Sequence, residues 1–447
     1  MSNIAKIVLI GANHAGTAAA NTILDNYPRH GVVIFDSNNN ISYLGCGTAL
    51  YIGGQIDDTK GLFYSSKEIL EGKKAKVYME TSVEHIDFAQ KKVFAKDSAG
   101  RELSESYDKL IIASGSLPIR PKIKGIDKTN VEYVKLFQDG QKIYQLLASP
   151  DIKRVAVVGA GYIGVELAEA VRRRKKEVLL FEAAGRSLAS YYDDWFTGEM
   201  DKILSGNGVE LHFGELVSEI KGGEKVTGID TDKGSYQVDL VVMAIGFRPN
   251  TGLAAGELET LANGAYKVDL HQETSKSGVY AIGDCAAVYS NALEDSAYIA
   301  LATNAVRSGI VAGHNAAGTP LESAGVQGSN GICIWGYNMV STGLNLAAAE
   351  KAGFSAQYTQ FEDLQKPAFI KENNYPVKIR IVYDKKTRRI LGAQMASYQD
   401  ISMGIHLFSL AIEEKLTIDK LKLLDIFFLP HFNQPYNYIT MAALSAK

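Results

Sequence analysis

Two stretches of the chain repeat one pattern of apolar and polar positions. KIVLIGANHAG, from Lys6 to Gly16, is an apolar run that stops at a glycine loop, and the small-residue segment TAAANTILDNY follows it. RVAVVGAGYIG, from Arg154 to Gly164, does the same and continues as VELAEAVRRR. Each copy then returns to an apolar run, VVIFD ending at Asp36 and VLLF ending at Glu182. Short apolar runs bounded by turns predict buried strands, and the segments between them predict helices. Each copy therefore reads as a strand, helix, strand unit with parallel strands.

The spacing within each loop points to an anion. The first glycine, Gly11 or Gly159, permits a tight turn; the second lets backbone approach a pyrophosphate; the third, Gly16 or Gly164, lets helix pack on strand. The N–H groups at the helix start, at His14 and Ala15 or Tyr162 and Ile163, then face the phosphates. An acidic residue about 20 residues past the last glycine suits a ribose hydroxyl. The second copy is complete, with Gly161 in the middle. The first carries Asn13 there, a residue that tolerates unusual backbone angles better than most.

Three more apolar strands stop at glycine: KLIIASGS (Lys109 to Ser116), LVVMAIGFRPN (Leu240 to Asn250) and GVYAIGDC (Gly278 to Cys285). Alone, each reads as strand plus turn. Beside two dinucleotide units they suggest an electron-transfer protein that holds two dinucleotides face to face. KIRIVYDKKTRRILGAQMAS, near the C-terminus, reads as two alternating strands around a polar turn, ahead of an apolar helix.

Composition narrows the class. The 447 residues exceed one typical domain, and 46% hydrophobic with 22% charged residues is ordinary for a soluble globular protein. A net charge of -3 with interspersed signs provides no basic stripe for nucleic acid. Neither a signal peptide nor a membrane span fits the N-terminus, so the cytoplasm is the expected location. Cys46, Cys285 and Cys333 are far apart and form no CxxC pair, which argues against a disulfide framework and against a metal site.

The ordered set GANHAGT, ISYLGCGTALYIGG, LIIASGS, VVGAGYIGVELAE, AIGFRPN, VYAIGDC, ALATNAVRSG and FFLPHFNQPYNYITMAAL resembles the single-cysteine branch of the pyridine nucleotide-disulfide oxidoreductases. The likeness covers almost the whole chain and is strongest to water-forming NADH oxidases, with NADH peroxidase and coenzyme A-disulfide reductase as relatives. The implied fold is α/β: two Rossmann-like dinucleotide-binding domains, for FAD and NAD, and a C-terminal α+β interface domain. The FAD domain would be split, residues 1–120 and 251–325, around an NAD domain at 121–250, with the interface domain at 326–447. A homodimer is implied, extending to a dimer of dimers in some arrangements.

Cys46 sits between Gly45 and Gly47. A cysteine in an apolar segment is ordinarily a small buried residue. The glycines, however, leave room for a flat ring, and a following helix would present its positive end to a thiolate. The resemblance makes Cys46 a redox thiol. Its two-cysteine relatives carry CxxxxC, whereas the positions five before and after Cys46 are Ile41 and Tyr51. The implied states are thus thiolate and sulfenic acid, or a mixed disulfide with a small thiol.

His14 matches a histidine near that cysteine that assists proton transfer; as a bare residue it reads equally as a polar loop position. Glu182 followed by Ala183 and Ala184 favours NADH over its 2′-phosphorylated form, because no cation is supplied. By resemblance Asp284, after Gly283, binds the flavin ribityl chain, and the backbone of Leu301, Ala302 and Thr303 faces the flavin edge. Val83, Ala113, Ser114, Gly115 and Lys135 match FAD contacts. Tyr162 would cover the flavin until nicotinamide displaces it, and Ile163, Tyr191 and Gly246 match the NAD site. Cys285 and Cys333 read as structural. His431 is offered by analogy with a C-terminal acid-base histidine, in a different local context.

The implied activity is hydride transfer from NADH to FAD followed by reduction of dioxygen to water, with Cys46 taking a peroxide oxygen. Peroxidase or coenzyme A-disulfide reductase activity would use the same parts. A slow, redox-sensing flavoprotein is the non-enzymatic alternative.

Overall fold

The computed structural model describes residues 4–447. Both predicted units form five-stranded sheets. The first has the order Val279–Ala281, Lys109–Ile112, Lys6–Ile10, Gly31–Phe35, Lys76–Tyr78, and the second the order Val209–Phe213, Glu177–Glu182, Arg154–Val158, Leu240–Met243, Val131–Tyr133. Every pairing in both is parallel. In each sheet the strand before the glycine loop lies at the centre, flanked by the strand that ends at the acid and the strand that stops at a later glycine. Val8, Leu9, Val155, Ala156 and Val157 are wholly excluded from solvent, which is why these strands are continuous apolar runs and do not alternate.

Each unit carries a three-stranded antiparallel sheet, Thr81–Asp87 with Lys92–Asp97 and Glu102–Ser106 in one, Val217–Lys221 with Gly228–Thr231 and Ser235–Gln237 in the other. A two-stranded antiparallel ribbon, Ser116–Pro118 against Phe247–Pro249, joins the two. It brings together the chain after LIIASG and the chain after AIG, and Ser114 Oγ donates to the Asn250 carbonyl at 2.6 Å.

The C-terminal sheet is antiparallel, in the order Asn330–Ile334, Tyr337–Gly343, Ile390–Ser397, Pro376–Asp384, Ala356–Leu364. The two strands expected to alternate do not: Ile390–Ser397 is buried at every position. One face packs on helices Ile405–Glu413 and Tyr438–Leu444, through Ala393 and Met395 among others. The other joins the core of the second unit, where Ala396 and Met339 share a cluster with Val155 and Phe196. Arg380, 5% exposed, is paired with Asp193 at 3.1 Å and stacked over Tyr358, and Gln394 donates to the same Asp193 at 2.9 Å. A charge at a core position is tolerated here because it is paired across the contact between the sheet and the second unit.

Candidate active site

The two glycine loops are close structural copies. Gly11 has φ +97° and Gly159 +102°, and a Cβ on either would lie 2.2 Å or 2.4 Å from a carbonyl oxygen, of Ala113 or Ala244. A Cβ on Gly16 or Gly164 would come within 1.9 Å or 1.8 Å of the carbonyl of Gly11 or Gly159. Only glycine fits at these four places. The middle position is different. Asn13 (φ -81°, ψ -150°) and Gly161 (φ -74°, ψ -171°) are both extended, so the conformation itself requires no glycine and Asn13 is unstrained.

Each acid closes its loop in the same way. Asp36 accepts from the backbone N–H of Ala12 at 2.7 Å and of Asn38 at 2.8 Å. Glu182 accepts from Ala160 and Ala184, both at 2.8 Å. Burial raises the Asp36 pKa, and the two N–H donors oppose that shift. Helices His14–Asn26 and Tyr162–Arg173 begin directly after the loops with no side-chain cap, which leaves their first N–H groups for a ligand such as a pyrophosphate.

Both cradles open into one cavity of about 2390 Å³. Its walls bring together Gly11, Asn13, His14, Ala15 and Gly16 with Asp36, Cys46 and Val83. Ala113, Ser114, Gly115 and Lys135 lie further along. Gly159, Gly161, Tyr162, Ile163, Glu182, Tyr191 and Gly246 line the second arm, and Gly283, Asp284, Leu301 and Ala302 close the first. Two expected residues are not on this wall. Gly164 is buried beneath the loop, where it lets helix meet strand. Thr303 is exposed in the first turn of helix Ala302–Ala316, past the Leu301 backbone that caps it.

Cys46 lines this cavity from a 3-10 turn, Gly45–Gly47, that runs into helix Thr48–Ile52. The flanking glycines have unlike roles. Gly45 lines the cavity, and a Cβ there would meet nothing closer than 3.9 Å. A Cβ on Gly47 would fall 2.4 Å from the Cδ2 methyl of the buried Leu62, so a side chain there would have to displace it. The following helix has a single turn. Burial, and next the Glu166 carboxyl, push the Cys46 thiol up, with Lys135 opposing. In the ligand-free chain the expected stabilisation of a thiolate by a helix end is therefore outweighed.

His14 Nδ1 shares a hydrogen bond of 2.9 Å with the Tyr64 hydroxyl, and the two rings stack with planes 6° apart. Burial lowers the His14 pKa, leaving a neutral imidazole near neutrality. Burial likewise pushes Tyr64 up to about 12. Asp284 accepts from Ser116 Oγ at 2.8 Å and lies 3.3 Å from Lys135 Nζ. Tyr162 donates to Asn330 Oδ1 and shares a hydrogen bond of 2.8 Å with the Tyr192 hydroxyl, and its ring lies 4.5 Å from that of Tyr191.

The chain belongs to the pyridine nucleotide-disulphide oxidoreductase family. The family model matches residues 5–309, and the model of the family's dimerisation domain matches residues 330–437. The NADH oxidase of Lactococcus lactis is 58% identical over 99% of this chain and 100% of its own length. That of Streptococcus pyogenes is 57% identical with the same coverage. The water-forming NADH oxidase of Lactobacillus brevis, solved bound to NADH, superposes with a TM-score of 0.95 at 40% identity, over 98% of this chain and 97% of that one. No helix among the described residues is long and apolar enough to cross a membrane.

Ser116, Glu166 and Asn330, which line the cavity, and Tyr64, which bonds His14, were not singled out in the sequence reading. Ser116 was visible as the last residue of LIIASGS, and Glu166 as the acid in GVELAE. Tyr64 reaches His14 from 50 positions away, with no local pattern to announce it. Cys285 is buried, its thiol donating to the carbonyls of Ile282 and Ile112. Cys333 is exposed and faces a second, smaller cavity that also touches Cys46. His431 is exposed in the loop before helix Tyr438–Leu444, beside Phe427, Phe428, Leu429 and Phe432, and does not line the Cys46 cavity of its own chain.

Proposed function

We propose that this protein is an FAD-dependent NADH oxidase that reduces dioxygen to water, with Cys46 as its one redox thiol. One observation carries the reading: the Asp36 cradle, the Glu182 cradle and Cys46 all line a single cavity. FAD suits the first arm, where Gly11 and Gly16 leave space that a Cβ would fill and Asp284 stands beyond the loop. NADH suits the second, where Ala183 and Ala184 follow Glu182 and offer no cation for a further phosphate. The two-arm division, and the roles of the lining residues, are part of this proposal. Names among the relatives support it, because the 58% and 57% identical proteins are NADH oxidases and the Lactobacillus brevis enzyme is water-forming.

When bound, FAD supplies the acceptor for the hydride of NADH and the donor for the oxidant. The chain does the rest. The helix starts at His14 and Tyr162 hold the pyrophosphates, and the two acids hold the riboses. Tyr162 and Tyr191 wall the approach of the nicotinamide. Cys46, as thiolate, takes one oxygen of peroxide: the O–O bond breaks, an S–O bond forms, a proton is taken up, and water leaves as the thiolate becomes a sulfenic acid. A second hydride equivalent returns the sulfenic acid to thiolate and releases the second water. The sum is two NADH, two protons and one dioxygen giving two NAD⁺ and two water. His14 is placed to move one of these protons; in the tautomer where Tyr64 donates to Nδ1, Nε2–H is left to donate. The exposed apolar residues of the C-terminal loop, and the matched dimerisation model, support a homodimer of cytoplasmic protein.

The test is stoichiometry. The purified protein should consume two NADH per dioxygen with little free peroxide. One NADH per dioxygen with equimolar peroxide would overturn the water-forming reading. Indifference to dioxygen with consumption of peroxide, or of coenzyme A disulfide, would replace the acceptor.

A further inference from the structure

Cys46 also lines the second cavity, about 340 Å³, whose other walls come from helix Thr48–Ile52, helix Tyr162–Arg173 and the hairpin Asn330–Gly343. Among the described residues, only Cys46, Ala49, Glu166 and Gly331 face both this cavity and the large one. Two of the four carry a titratable group, and Glu166 is the only carboxylic acid.

Its neighbour one turn on is fixed. Glu169 Oε1 receives Arg173 at 3.0 and 2.8 Å and the backbone N–H of Trp335 at 3.1 Å. Glu166 has no hydrogen bond from any described group. Sharing the second cavity with it are Glu169 from its own helix, Cys46 from the 3-10 turn, Gln55 from the segment after it, and Cys333, Asn338 and Ser402 from the C-terminal domain. Lys135 and Asp284 act on Cys46 from the far side. The Glu166 carboxyl is half-buried and stands on the wall of both cavities, so a proton can reach it from either.

The proposed reaction gives that carboxyl a use, and the inference rests on it. Two hydrides arrive in the nicotinamide arm, but the balance needs two further protons, and these come from water. We infer that Glu166 carries protons between the second cavity and the Cys46 chamber, so that proton entry and hydride entry are on different sides of the thiol. The proton taken up when water leaves the peroxide is given by Glu166, which regains one from water in the second cavity, and the proton taken up when peroxide forms is left to His14. Burial and the nearby Glu169 push Glu166 up to about 7, so both of its forms are populated at neutral pH. Its position also explains why Glu166 raises the Cys46 thiol, as one negative group facing another.

Three measurements on the flavin-loaded protein test this with Glu166→Gln, which is nearly isosteric. Oxygen-dependent turnover should fall about tenfold, with a larger solvent deuterium isotope effect, and Glu166→Asp should restore most of it. Anaerobic bleaching of the flavin by NADH should change less than about twofold, because hydride transfer takes no proton from this side. Independently of turnover, the rate of Cys46 alkylation against pH, read by mass spectrometry, should show two inflections in wild type. The variant should show one inflection, displaced to lower pH. Equal loss in bleaching and turnover would make Glu166 a wall of the nicotinamide site and overturn the inference. So would an unchanged isotope effect, or an alkylation profile identical to wild type. If wild type proves to release peroxide, the water-forming reading fails alone, and the alkylation profile still decides whether Glu166 and Cys46 are coupled.

Discussion

The two dinucleotide units differ most where their helices face outward. Position for position, Gly11, Asn13, His14 and Gly16 correspond to Gly159, Gly161, Tyr162 and Gly164, and Ala18 corresponds to Glu166. In the first unit that helix face is sealed by helix Ala302–Ala316. A Cβ on Gly309 would sit 2.9 Å from the Ala18 methyl and 2.3 Å from the Ala15 carbonyl, so the helices meet backbone to backbone. In the second unit the same face meets the Cys46 segment and the C-terminal hairpin, with Gly53 against Ala170 and Trp335 bonded to Glu169. The loop geometry is thus fixed by the dinucleotide, while the outer helix face is free to be either a seal or a working surface. The carboxyl of Glu166 exists because its unit is not sealed.

The comparison is broken most severely at the turn glycines. Gly11→Ala forces a left-handed backbone on alanine and a 2.2 Å contact with a carbonyl, and should cost about 3 kcal/mol or more with loss of retained flavin. Gly159→Ala should spare the flavin and abolish NADH binding. Flavin content and NADH titration separate the two, and a Gly11→Ala protein that remains fully yellow and stable contradicts the assignment of arms.

Next comes the outer face. Glu166 has its pKa raised from 4.5 to about 7 in the folded chain, so the fold binds its proton more tightly than the unfolded chain does. That contribution is complete below pH 4.5 and is lost as pH rises to about 7. Glu166→Gln should therefore be the more stable form above pH 7, by at most about 3 kcal/mol, with the gap closing below pH 5. Urea melts of flavin-free protein at both pH values measure it. No pH dependence of the gap would mean the carboxyl is solvated.

Glu182→Ala should weaken NADH by about 1–3 kcal/mol and NADPH by less, seen as a narrowed ratio of their Kd values. Equal losses would show that Glu182 only braces the loop through Ala160 and Ala184. The smallest effect is expected at the middle position. Asn13 makes no side-chain cap, and its backbone is extended, so Asn13→Gly should change stability by a few tenths, about 0.3 kcal/mol, and leave flavin binding intact.

What was legible in the sequence was what the backbone and the phosphate constrain together. Gly11, Gly16, Gly159 and Gly164 admit no other residue, and Asp36 and Glu182 each close a loop by accepting from its backbone N–H groups. Contacts made at a distance were not legible. Gly47 resembles Gly45 in sequence, yet it answers to Leu62, a packing contact made 15 residues on. Ile390–Ser397 was expected to alternate, and its second buried face comes from another unit. Glu166 stood in a recognised motif, and only the boundary between two cavities gives it a chemical reason.

The central claim is that Cys46 retains the second half of the reaction, and Cys46→Ser tests it most directly. Serine fills the same space, but its hydroxyl is neither ionised nor readily oxidised near neutral pH. With NADH, dioxygen and peroxide measured together, wild type should consume two NADH per dioxygen and release little peroxide. The variant should approach one NADH and one peroxide per dioxygen while still bleaching with NADH. A variant that continues to form only water would contradict the account and leave Cys46 as a packing residue beside the flavin.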